Sequence, residues 1–120
     1  MSLLAGLTRN EALLAFAEPV DDNRTEDVVR QLTSSLNQPQ RQVWDADHRF
    51  KLLCSGRRFG KTYLCITRLI CWAMEKPGSL CWYVTANYRM AKQIAWRQLK
   101  TMTPDGMIAK KNETDLSIEL

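Results

Sequence analysis

The spacing of apolar and polar residues changes period several times along this chain, and each change marks an expected element. Residues 3–17 read as a helix, with Leu3, Leu4, Leu7, Ala12, Leu13, Leu14 and Phe16 at helical spacing and Thr8 and Glu11 placed as a capping box. Glu18-Pro19-Val20-Asp21-Asp22-Asn23 breaks that pattern as a linker. A second helix is expected from about Thr25, its stripe made by Val28, Val29, Leu32 and Leu36. Residues 1–36 thus form an α-helical arm. Short amphipathic helices usually bury their own stripe, so the arm reads as a bracket on the core in preference to a partner-binding appendage.

A third short helix opens over residues 37–42, where Pro39 suits the first turn, and Val43, Trp44 and Phe50 are expected to face the core. Residues 50–54 read as a short buried strand and residues 63–75 as a helix apolar nearly all round, stopped by Lys76-Pro77-Gly78-Ser79. Residues 80–85 read as a second strand, apolar enough for a parallel sheet covered on both faces. Residues 87–102 form the next helix, with Met90, Ala91, Ile94, Ala95 and Leu99 inward. Arg89, Lys92, Arg97 and Lys100 fall together on its other side. After a turn at Pro104-Asp105-Gly106, residues 107–110 and 116–120 read as a hairpin around Asn112-Glu113-Thr114-Asp115.

The chemistry concentrates between the first expected strand and the helix after it. Ser55-Gly56-Arg57-Arg58-Phe59-Gly60-Lys61-Thr62 ends as a phosphate-binding loop of the G-x-x-x-x-G-K-[ST] kind, with Ser55 where a glycine is usual. A loop entering a helix aims backbone N–H groups at one point, and the helix dipole adds positive potential there. Gly56 and Gly60 permit tight turning and close approach to phosphate. Lys61 would place an ammonium on the β- and γ-phosphates of ATP, and Thr62 would offer its hydroxyl to Mg²⁺. The bland alternative is a basic surface turn that binds nothing. Gln40, just ahead of the loop strand, carries an amide able to read an adenine edge, although a glutamine on a helix surface is usually only solvated.

Composition narrows the rest. The 120 residues suit one domain or part of one, and 45% hydrophobic with 25% charged residues is ordinary for a soluble globular chain. A net charge of +4 permits a polyanionic partner without requiring one. The basic stripe on residues 87–102 suits a DNA backbone, and a solvated helix face is its commoner meaning. Cys54, Cys65, Cys71 and Cys81 lack metal-ligand spacing and have a single histidine for company, so buried free thiols are expected in place of a zinc site. No apolar run approaches a membrane span, and no basic segment precedes the first apolar residues as a secretory signal would require.

From Gln40 onward the chain resembles the large terminase subunit of tailed bacteriophages, the ATPase motor that packages DNA. The resemblance rests on an ordered series: the P-Q-R-Q segment, R-F-K-L-L-C-S-G-R-R-F-G-K-T, an apolar helix, L-C-W-Y-V-T-A, a Y-R-M-A-K-Q-I helix and a hairpin ending S-I-E-L. It implies an α/β P-loop NTPase three-layer core over residues 37–120, with ATP and Mg²⁺ as cofactors and double-stranded DNA as the translocated partner. Gln40 would contact adenine, residues 55–62 would hold the nucleotide, Lys61 would act on the phosphates and Thr62 on the metal. Arg57 matches a residue proposed to act in cis on the γ-phosphate, with Arg58 the other candidate. Thr85-Ala86 matches a segment that links ATP to DNA movement, or is merely structural.

The small terminase subunit and the portal protein are further implied partners, with homo-oligomerisation on the portal and a location in the bacterial host cytoplasm. One departure matters: no four-apolar strand ending Asp-Glu, the Walker B segment, occurs in the chain, and Asp115 and Glu119 are poor substitutes. These residues therefore read as the front part of such an ATPase, expected to bind nucleotide weakly or not at all and to hydrolyse it poorly. Two rivals stand beside this reading: a superfamily 2 helicase-like motor, and a non-enzymatic basic nucleic-acid-binding module with a vestigial loop.

Overall fold

The computed structural model describes residues 22–120. The helix expected over 3–17 and most of the linker after it lie outside the described residues. Helix α1, Asp22–Ser34, begins three residues before the expected start. It ends where hydroxyls turn back on carbonyls: Thr33 Oγ1 donates to Val29 O at 2.7 Å, Ser34 Oγ to Gln31 O at 2.7 Å and Ser35 Oγ to Leu32 O at 2.9 Å. Such bonds compete with the helix ladder and favour its end. Helix α2, Gln38–Asp45, carries Asn37 as N-cap and a proline in its first turn. Lys51 Nζ donates to Val43 O and Trp44 O, satisfying carbonyls at its far end.

Helix α3, Lys61–Glu75, supplies the seam on which the others pack. Ile66, Ile70, Cys71 and Met74 meet Leu32 of α1 and Ala95, with Val28, Val29, Trp44, Tyr83, Leu99, Met102 and Met107 around them. Burying one such side chain contributes about 1.5–3 kcal/mol. Thr67 is also fully buried and donates its hydroxyl to Tyr63 O, so it adds no unpaired polar group. Arg68 lies between two indoles, 4.4 Å from the Trp44 ring centroid and 5.2 Å from that of Trp72, which joins α2 to α3.

The expected parallel sheet is not assembled among the described residues. The sheet they do form is an antiparallel pair, β1 Lys110–Asn112 with β2 Ser117–Glu119, Lys111 facing Ile118. The described residues form a helix-rich domain with a two-stranded hairpin, and the three-layer α/β core is not seen among them. Segments 50–54 and 80–85 are irregular, and Phe50 and Leu52 are 83% and 93% exposed, Trp82 74%. A strand exists only as part of a ladder, and among the described residues neither segment has a neighbour to pair with. Without that layer α3 keeps one face open: Cys65 and Trp72 are exposed. The expectation of four buried thiols therefore holds for Cys71 alone; Cys54 is exposed and Cys81 half-buried. Burial raises the Cys71 thiol to about 11.

The last helical run comprises α4 Tyr88–Met90, a π-helical turn Ala91–Trp96 and α5 Arg97–Met102. Asn87 caps it, its side chain accepting from Met90 N. The wider π turn rotates the faces that follow it. Ile94 and, ahead of the turn, Met90, both expected inward, are exposed, while Ala95 and Trp96 are buried. Trp96 Nε1 donates to Glu113 Oε2 at 2.7 Å, Lys100 Nζ lies 3.2 Å from Glu113 Oε1, and Tyr88 Oη donates to Thr114 O. These bonds tie the hairpin to the helical run.

The Trp96 hydrogen bond first, and Lys100 second, hold the Glu113 carboxyl below its ordinary range. A depressed folded value means the contribution is complete above the ordinary glutamate range and is lost as pH falls through the lowered value. Hydrogen exchange measured along a pH series should therefore show residues 110–119 loosening on acidification while α3 stays protected. Glu113→Gln should remove that pH dependence.

Candidate functional site

The segment from Ser55 to Thr62 turns directly into α3. Gly60 is the residue before the helix and adopts a left-handed conformation, φ 85° and ψ 33°, which glycine reaches without the penalty a Cβ brings. Arg58 is left-handed as well, at φ 68°, a geometry that costs a non-glycine residue on the order of 1–2 kcal/mol. Two reversals in three residues wind the loop tightly ahead of Lys61. The first amides of α3 have no acceptor within the helix, and no side chain caps them.

Lys61 folds back over the loop. Its Nζ donates to Ser55 O at 2.7 Å and to Gly56 O at 3.0 Å, so the ammonium closes the loop from within. Arg57 and Arg58 are exposed, and neither is in an ion pair among the described residues. Ser55 Oγ is buried with no hydrogen-bond partner there. An unpaired buried hydroxyl is uncommon in a folded chain. Beside Gly56 an added Cβ would meet nothing within 4 Å, so open space adjoins the loop there. These features fit a phosphate chain. Thr62 stands in the first turn of α3, half-buried, where its hydroxyl would serve a metal held by that phosphate. Among the described residues no group of three or more acidic, histidine or cysteine side chains stands ready for a metal.

Gln40 reaches this loop from α2. Its Nε2 donates to Phe59 O at 3.1 Å and to Gly60 O at 3.2 Å. Its Oε1 accepts from Asn37 N, and its own N–H donates to Asn37 Oδ1, both at 2.9 Å. Asn37 is the participant that the functional reading of the sequence missed. The signal was present: Asn37 and Gln40 have the spacing of a capping box.

The remaining site residues lie apart from this cluster in chemistry. Arg89, Lys92 and Arg97 are exposed on the helical run, whereas Lys100 is occupied by Glu113 and stacks over Trp96 at 5.5 Å. Among the described residues the basic stripe therefore comprises three cations outside any ion pair and one structural one. Thr85 donates its hydroxyl to Asn87 O, a local contact at the entry to α4. Asp115 accepts from Asn112 within the hairpin turn. No family model, curated protein or solved structure matches the chain. Among the described residues no helix is long and apolar enough to cross a membrane.

The two loop glycines should respond differently to substitution. Gly60→Ala forces a Cβ into the left-handed region and against Gln40 Nε2, and is expected to destabilise by about 1–3 kcal/mol. Gly56→Ala, with open space beside it, should stay within about 0.5 kcal/mol of the parent in urea unfolding.

Proposed function

We propose that residues 55–62 bind the phosphate chain of ATP with Mg²⁺, as the nucleotide-binding part of a DNA-translocating ATPase of the terminase large-subunit kind. The observation that carries this reading is the entry into α3. A left-handed Gly60, uncapped first amides of α3 and the Lys61 ammonium all belong to one loop-to-helix junction, with Arg57 and Arg58 on the same loop. Such a junction attracts an oxyanion through directed N–H donors and net positive charge. Lys61 exchanges its loop carbonyls for phosphate oxygens. Arg57, or Arg58 in its place, neutralises charge that grows on the terminal phosphate. Thr62 would hold the metal, which neutralises phosphate charge when bound.

Hydrolysis asks for more than these residues. Phosphoryl transfer to water needs a carboxylate on the metal and another group to orient the water. Glu113 is engaged by Trp96 and Lys100, and Asp115 by Asn112, so the described residues are suited to binding and poorly equipped for turnover. The ordered resemblance to terminases is what extends the proposal to double-stranded DNA, to the small subunit and portal as partners, and to work in the bacterial host cytoplasm. Exposed Arg89, Lys92 and Arg97 suit the DNA role. They equally support the second reading, a basic nucleic-acid-binding module, and dependence on Lys61 separates the two.

Lys61→Ala should weaken binding of a fluorescent ATP analogue about 10- to 150-fold, the worth of a hydrogen bond to a charged group. Unchanged affinity in that variant would remove the nucleotide reading. For DNA, log affinity against log salt should have a slope no steeper than about −2.7 if three cations meet phosphates. Lys100→Ala should leave that slope unaltered.

A further inference from the structure

Gln40 is only 5% exposed, and its amide is already committed to its own chain. We infer that Gln40 is a positioning residue that sets the conformation of the phosphate loop, and that the site it braces takes nucleoside triphosphates with little regard to the base. The second half rests on the nucleotide reading above; the first does not.

A glutamine amide reads adenine by donating from Nε2 to the ring N7 and accepting at Oε1 from the exocyclic N6. In this fold Nε2 donates to both Phe59 O and Gly60 O. Oε1 already accepts the Asn37 N–H. Reading a base would strip Phe59 O of the Gln40 donor, leave Gly60 O with the Leu64 N–H alone, and open the capping box at the start of α2. The same two carbonyls flank the left-handed turn at Gly60, and Gln40 Nε2 fills the space a side chain at position 60 would need. Gln40 therefore selects the turn from outside while Lys61 holds the loop from within through Ser55 O and Gly56 O. Asn37, Gln40 and residues 59–60 act as one unit, so the α2 N-terminus and the loop order together. Recognition is left to the phosphate chain, which meets the loop amides and cations whatever base it carries.

Two measurements on the full chain test this. Gln40→Met keeps side-chain length and loses both donors; Gln40→Glu is the second variant, with circular dichroism to verify that each folds. Without any nucleotide, hydrogen exchange in residues 56–60 should rise about 5- to 150-fold in both, as expected for two lost hydrogen bonds, while residues 66–71 of α3 keep their protection. Unaltered exchange in the loop overturns the positioning role. By calorimetry, ATP and GTP should bind the parent within about threefold of each other, and Gln40→Met should weaken ATP, GTP and inorganic tripolyphosphate by a common factor. A tenfold or greater preference for ATP that Gln40→Met erases would overturn base indifference. Failure of all three probes to bind the parent overturns the triphosphate reading, and the exchange result then decides the positioning role by itself.

Discussion

Burial along one face of α3 is the constraint from which the rest of the described chain follows. Ile66, Ile70, Cys71 and Met74 need cover, and α1, the helical run over 88–102 and Trp44 of α2 supply it. That packing fixes where α3 begins, because a helix pinned through its middle cannot slide. The start at Lys61 in turn obliges the chain to reverse at Gly60 immediately before it. The loop's geometry is thus a consequence of apolar packing one to three turns further on. Its polar wiring, Gln40 from one side and Lys61 from the other, selects among the conformations that packing leaves open.

The flank of α3 next to this packed face, where Ile66 and Ile70 meet Leu69 and Ala73, shows what happens when apolar residues lack a complete covering layer. Leu69, Ala73, Tyr83, Ala91, Leu99 and Ile118 border a groove of about 450 Å³ that stays open to solvent. Segments 50–54 and 80–85 have strand-like composition and yet remain irregular. Apolar composition can drive burial only where there is something to be buried against, and a ladder requires a second backbone with its own donors and acceptors. Tyr83 finds the core of α3, but among the described residues neither segment has a second backbone to pair with.

Charge is organised with similar economy. Of the four basic residues aligned on the helical pattern over residues 87–102, Lys100 is diverted to hold Glu113, which Trp96 also grips, and so joins the hairpin to the helix. The π turn makes that possible by bringing Trp96 inward in place of Ile94. On the loop, by contrast, Arg57 and Arg58 stay exposed and Lys61 bonds only to carbonyls of its own chain, partners that an incoming anion can replace.

Helices α1, α2 and α3, the stop after Glu75, the capped start at Tyr88 and the hairpin turn were all legible in the sequence, to within a few residues at their ends. Those features are local: a cap, a proline in a first turn, a glycine before or after a helix and an apolar period act over a few neighbours. The loop's place between residues 55 and 62 was legible for the same reason. Only the tertiary structure decided whether 50–54 and 80–85 pair, which face of 88–102 turns inward, and what the Gln40 amide holds. Gln40 and Phe59 stand 19 residues apart, and Trp96 and Glu113 stand 17 apart. Contacts of that span are chosen by packing and by the need to satisfy every buried donor, and no local pattern encodes them.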